Sequence, residues 1–127
     1  MNLTFLDAYS AHKYLDYVNL DQIIRPLTKP KIKTYKGNTI NFTSMDKSLL
    51  SHLMNRVQHK FTLNGCFLHI DKVQFIFLQK GCYWDFPFTL KDTIVFTPVL
   101  LQHSNDKIVE ILIHEIVHLD QKRNPHK

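Results

Sequence analysis

An α+β fold is expected from three observations. A long run has apolar residues at helical spacing, a block of short extended segments follows it, and a capped apolar run comes near the end of the chain. In the first run, Ser44 precedes residues 45–57, where Met45, Leu49, Leu50, Leu53, Met54 and Val57 recur at spacings of three and four. That pattern predicts a helix with Ser44 as its cap. Beyond Asn64-Gly65, extended segments at 66–70, 73–78, 83–88 and 93–97 are separated by Asp71-Lys72, Lys80-Gly81 and Lys91-Asp92, as expected of strands joined by turns. Pro98 closes the last of them, and Ser104 or Asn105 can cap a final helix to about Lys122, with Pro125 beyond it. The order predicts a small, mainly antiparallel or mixed sheet of three to four strands, with a backing helix and the final helix on one face.

Residues 1–28 are read as helical, opening at Thr4-x-x-Asp7 and continuing through Phe5, Leu6, Tyr9, Leu15 and Val18, with a second short turn from Asn19 to Leu27. Pro26 and Pro30 bracket a lysine-bearing connection that leads to Thr39-Ile-Asn-Phe42, a connection or short edge hairpin. Residues 1–43 are therefore expected to be an N-terminal helical extension and linker, and residues 44–127 the core, ending just after the final helix.

With 127 residues, 44% of them apolar, the chain has room for one domain with a real core. The formal charge of +5 permits acidic partners without naming one. Lys29, Lys31, Lys33 and Lys36 come nearest to a basic block, and so short a run reads as a solvated linker. No compact basic and aromatic platform is visible, so a nucleic-acid partner is not expected. No segment approaches membrane-spanning length, and the first residues lack the basic start and apolar stretch of a secretory signal. Cys66 and Cys82 are too few for a disulfide framework. A soluble intracellular, cytoplasmic protein is expected. Abundant Lys, Asn, Ile and Phe fit an AT-rich coding sequence of the kind some bacteria and large DNA viruses carry; a viral origin would mean the host cytoplasm.

The final helix carries His114, Glu115 and His118 in the pattern HExxH. Residues four apart lie one turn above each other, so both imidazoles project from one side and can bind one ion at about 2.0–2.1 Å. Glu115, roughly 100° round the helix, is placed beside the ion as a base for water instead of as a ligand. Zn²⁺ is the expected cofactor: it lowers the pKa of its water toward 7 and polarises the attacked carbonyl, while Glu115 takes the proton and returns it to the leaving group. Ile108, Val109, Ile111, Leu112, Ile113, Ile116, Val117 and Leu119 make the helix apolar around nearly all its circumference. A buried helix is expected, in which a metal would satisfy polar groups that are costly to bury. The competing reading is a coincidental motif on a solvated strip.

With these residues the chain resembles the zincin superfamily of metallopeptidases, in the form of the compact gluzincin-like unit of helix, small sheet and active-site helix. The likeness lies in residues 113–119, in the strand at 92–98 and in the order of elements across 44–122. It implies that His114 and His118 are zinc ligands and Glu115 the general base and acid. Asp120 departs from the pattern, since that position is commonly apolar in the family.

A catalytic zinc takes three protein ligands plus water, and the motif supplies two. The Gly and His of metzincin-like proteins would fall at Gln121 and Asn124, which excludes that subclass. No Glu follows His118, although gluzincin-like proteins supply one from a later helix. Three sources remain for the third ligand. His126 could return beyond Pro125; Cys82, Cys66 or His69 could come from upstream; or a longer natural protein could carry the ligand past Lys127, which is the leading explanation. Cys82 also reads as a small buried hydrophobe.

The expected function is a zinc metallopeptidase, or its catalytic core, that hydrolyses peptide bonds of a peptide or protein substrate. The alternative is a non-catalytic zincin-like protein-binding module, degenerate or truncated. An extended peptide would add to a sheet edge, at 73–78 or 93–97. Tyr83, Trp84, Phe86 and Phe88 are expected to pack a core more than to line a pocket. His12, His52, His59 and His103 read as surface residues. Asp7, His12 or Asp16 could block the metal as a latency device, but a plain packing helix is the favoured reading, since nothing in that segment marks an inhibitory ligand.

Overall fold

Alternation along two strands decides which side of the sheet each helix covers. In the computed structural model, which describes residues 1–24, 32–63 and 71–123, strand β3 of the sheet (Lys72–Leu78) turns Val73, Phe75 and Phe77 to one face and Ile76 and Leu78 to the other. Strand β5 (Thr93–Phe96) repeats the division, with Ile94 and Phe96 on the first face and Val95 on the second. Successive side chains of a strand point to opposite faces, so each strand feeds two cores.

β3 lies at the centre. Strand β1 (Asn2–Phe5) pairs parallel to it, with Leu3 opposite Val73 and Phe5 opposite Phe75, and β2 (Thr39–Ile40) pairs antiparallel farther along. On its other side β5 is parallel, with Ile94 opposite Phe75, and β4 (Phe88–Leu90) pairs antiparallel to β5 at the end of the order β1-β3-β5-β4. The sheet is mixed, as expected, but has five strands among the described residues instead of three to four, because β1 and β2 come from the segment before residue 44.

Helices α3 (Ser44–Leu63) and α4 (Asn105–Arg123) cover the first face. Leu50, Leu53, Met54 and Val57 of α3 meet Ile108, Leu112, Ile116 and Leu119 of α4 over Phe75, Phe77 and Phe96. Phe42 stacks on Phe77 with ring centroids 4.6 Å apart. Thr43 and Asp46 cap α3 reciprocally, each side chain accepting from the other's backbone N–H at 3.0 and 3.1 Å. The cap is thus one residue earlier than expected. Ser104 caps α4 by accepting from Lys107 N–H at 3.3 Å. Arg56 joins the two helices through Asp106 at 2.6 Å.

Helix α1 (Ala8–Tyr17) lies on the second face, where Ala11 and Leu15 pack with Ile76, Leu78 and Val95; α2 (Leu20–Ile24) follows it. Four expectations change here. Residues 2–5 form a strand instead of opening a helix, because Leu3 and Phe5 alternate with polar neighbours and pack against the first core. The cap of α1 is Asp7, which accepts from Ser10 N–H at 2.7 Å. The segment expected as an extension supplies β1 and β2 to the same sheet as the core. The expected strand at 83–88 is a turn at Tyr83–Asp85 followed by β4. The expected strand at 66–70 lies outside the described residues. Among the described residues no helix is long and apolar enough to cross a membrane.

Candidate metal and substrate site

α4 buries Ile108, Val109, Leu112, Ile116 and Leu119 along one stripe and leaves His114, Val117 and His118 exposed on the other. The helix is therefore half-exposed, not buried all round, and burial cost applies to Glu115 alone, which is 7% exposed. The two imidazoles meet at the surface: His118 Nε2 lies 2.9 Å from His114 Nε2, with the rings roughly perpendicular. Two nitrogens about 2.0–2.1 Å from one ion stand roughly 2.9–3.4 Å apart for angles between 90° and tetrahedral. The pair thus fits two positions on one metal ion. The same distance accommodates an Nε2–H···Nε2 hydrogen bond between the rings, whose proton a bound metal ion would have to displace.

Among the described residues no group of three His, Cys, Asp or Glu side chains could hold a metal ion. Cys82 is buried on the α1 face of the sheet, where its thiol points to Thr34 O at 3.4 Å. Burial pushes that thiol's pKa up, opposite to what a metal-binding thiolate requires. Its place matches the small buried hydrophobe. His126, Cys66 and His69 lie outside the described residues. His12 and Asp16 form an ion pair at 3.2 Å beside Tyr35, and Asp7 caps α1. These groups belong to the helix on the opposite face of the sheet from α4 and do not form a latency device over His114.

His114 and Glu115 open onto a cleft of about 830 Å³. Its far wall is Trp84, Asp85, Phe86 and Pro87, and the short 3-10 turn at Pro98–Gln102 contributes Val99 and Leu100. His103, Lys107 and Glu110 also line it. His103 was expected to be an isolated surface residue, and only the fold brings it to the cleft that His114 lines. The four aromatics of the 83–88 segment divide: Tyr83 and Phe88 pack with the α1 core, whereas Trp84 and Phe86 stand in the cleft.

That wall is held in an unusual backbone. Tyr83, Trp84 and Asp85 have φ of 48°, 58° and 62°. Left-handed backbone costs about 1–2 kcal/mol per non-glycine residue, so three in succession cost on the order of 3–6 kcal/mol. Six hydrogen bonds oppose the cost. Tyr83 N–H donates to Lys33 O at 3.1 Å, and Tyr83 Oη accepts from Tyr35 N–H at 3.0 Å and donates to Asp21 at 3.3 Å. Asp85 N–H donates to Cys82 O at 2.9 Å, while its carboxylate accepts from Gly81 N–H at 2.6 Å and Thr97 Oγ1 at 2.8 Å. At about 0.5–1.5 kcal/mol net for each bond, the set is comparable to the strain.

Neither sheet edge proposed from sequence is an edge: 73–78 and 93–97 are the two central strands, and β4, which the wall leads into, ends the order next to α4's cleft. No family model, curated protein or solved structure matches this chain.

Proposed function

We propose that the chain is a zinc-dependent peptidase, or the catalytic core of one, acting in the cleft beside α4. The observation that carries the reading is the convergence of His114 and His118 Nε2 at 2.9 Å on the helix that brings His114 and Glu115, though not His118, to the lining of the cleft. His114 and His118 would hold the ion, with a third ligand from outside the described residues. Zinc bound there supplies a Lewis acid that polarises a carbonyl and makes water acidic near neutral pH. Glu115 accepts the proton of the attacking water on its carboxylate and delivers it to the leaving amine. Trp84–Pro87 and Val99–Leu100 line the cleft with mostly apolar surface beside His114 and Glu115. An extended peptide lies alongside β4, which corrects the expectation of 73–78 or 93–97 as the docking edge.

A second reading, a non-catalytic zincin-like module that binds a protein partner, is favoured by the lack of a third ligand among the described residues. Metal analysis of the purified chain after zinc supplementation, run with a cleavage assay on a mixture of unstructured peptides, separates the two. Stoichiometric zinc and cleavage that disappears in Glu115→Gln support the peptidase. Stoichiometric zinc with no cleavage supports the binding module. A chain that takes up no zinc sinks both metal readings.

A further inference from the structure

We propose that Trp84 and Phe86 form a recognition subsite for a large apolar or aromatic side chain of the peptide bound in the cleft. The inference rests on the cleft being the peptide site and names what it selects.

The turn that carries these rings serves two ends at once. It buries Tyr83 to 5% exposure in the α1 core, yet leaves Trp84 at 50% and Phe86 at 69%. A turn serving the core alone would need only Tyr83. Instead the chain tolerates three successive left-handed residues, and strain of this kind persists where the surroundings over-determine it, most often at ligand sites. The hydrogen bonds therefore fix the backbone that carries two exposed aromatic rings, so a ligand gains contact without first ordering that backbone.

The lining disfavours an acidic ligand side chain and offers mostly apolar contact. Asp85, between the two rings in sequence, has its carboxylate engaged by Gly81 and Thr97. Lys107 and Glu110, across the cleft, pair with each other at 3.6 Å. Of the other residues that line the cleft, Pro87, Val99, Leu100 and Ile111 are apolar, and His103, His114 and Glu115 are polar. A ligand carboxylate would meet the Asp85 carboxylate and a Lys107 that already faces Glu110, whereas an apolar side chain gains contact with both rings. A cleft of about 830 Å³ lies in the range of pockets for small ligands. It takes a short peptide segment, not a folded domain.

Trp84 is the chain's single tryptophan, so its fluorescence reports this wall alone. Blocked tetrapeptides that differ only in one central residue, Phe, Leu, Ala or Asp, are titrated with the zinc-supplemented full chain. The Phe and Leu peptides are expected to shift Trp84 emission to shorter wavelength, to shield it from acrylamide, and to bind roughly tenfold or more tightly than the Ala and Asp peptides. Phe86→Ala, at an exposed position, brings that ratio close to one. Trp84→Ala does the same when read by calorimetry, and His59→Ala, on α3 outside the cleft lining, leaves the ratio intact. If the four peptides bind alike, or none perturbs Trp84, the subsite is overturned. Selective binding without any cleavage by the native chain sinks the peptidase reading and leaves the subsite standing; cleavage without selectivity does the reverse.

Discussion

Thr97 donates its hydroxyl to Asp85 at 2.8 Å, and this bond ties the cleft wall to the end of β5, where the chain turns toward α4. Thr97 is buried and its hydroxyl also accepts from Val99 N–H at 3.4 Å, so the same atom fixes wall and floor. Thr97→Val keeps the shape and removes both contacts. A loss of about 1–2 kcal/mol in urea unfolding is expected, together with greater acrylamide quenching of Trp84. Unchanged stability and unchanged quenching would show that the wall does not depend on this bond.

The His114–His118 pair predicts a division of effects among neighbouring residues. His118→Ala and His114→Ala should each abolish stoichiometric zinc. Glu115→Gln should retain the metal while cleavage falls by about 10²–10⁴, the usual contribution of a general base. Both are read from metal content and peptide turnover in the same preparations. Zinc retained by His118→Ala would place the ion elsewhere.

The reach of the sequence follows from how local each signal is. α3 and α4 were legible because their apolar periods run over many residues, β3 and β5 because Asp71-Lys72, Lys80-Gly81, Lys91-Asp92 and Pro98 bound their apolar runs, and Ser104 is a local cap for α4. His114, Glu115 and His118 were legible because one helical turn brings them together. β1 was missed because four alternating residues directly before a helix are easily read as part of it. The Tyr83–Asp85 turn was missed because no residue type there announces a positive φ; the conformation is imposed by Asp21, Lys33, Tyr35 and Thr97, which are distant in sequence. The roles of Trp84, Phe86 and His103 depend on that folding, so spacing could not reveal them. The exposure of the histidines was misjudged because Ile111, Ile113 and Val117 suggested an apolar circumference, although the helix leaves that side partly open.

Asp106 predicts an acid-side effect at the α3–α4 junction. The Arg56 guanidinium, by hydrogen bond and charge, holds its carboxyl below the ordinary value of 3.8. Its contribution is complete above that value and is lost as pH falls below it, because the folded state binds the proton less readily than the unfolded chain. Thermal melts from about pH 6 down to about pH 2 should therefore show a shallower decline of Tm for Asp106→Asn than for the native chain. Parallel curves would mean the pair contributes nothing, as exposed pairs often do.

Tyr35 and Tyr83 predict the opposite limb and connect it to the cleft. Burial raises both phenols above the ordinary value of 10, the Asp16 hydrogen bond adding for Tyr35 and the charge of Asp21 for Tyr83. The folded state keeps these protons where an unfolded tyrosine loses its own, so their stabilisation is complete below about pH 10 and declines as pH rises beyond it. Tyr83→Phe removes one of the two groups, and with it the acceptor for Tyr35 N–H and the donor to Asp21. The variant should lose about 1–2 kcal/mol at neutral pH, yet show a flatter fall of Tm above about pH 10. Since Tyr83 also begins the left-handed turn, its Trp84 emission should become more easily quenched at neutral pH. A variant that loses stability while Trp84 is unaffected would separate the core role of Tyr83 from its hold on the cleft wall.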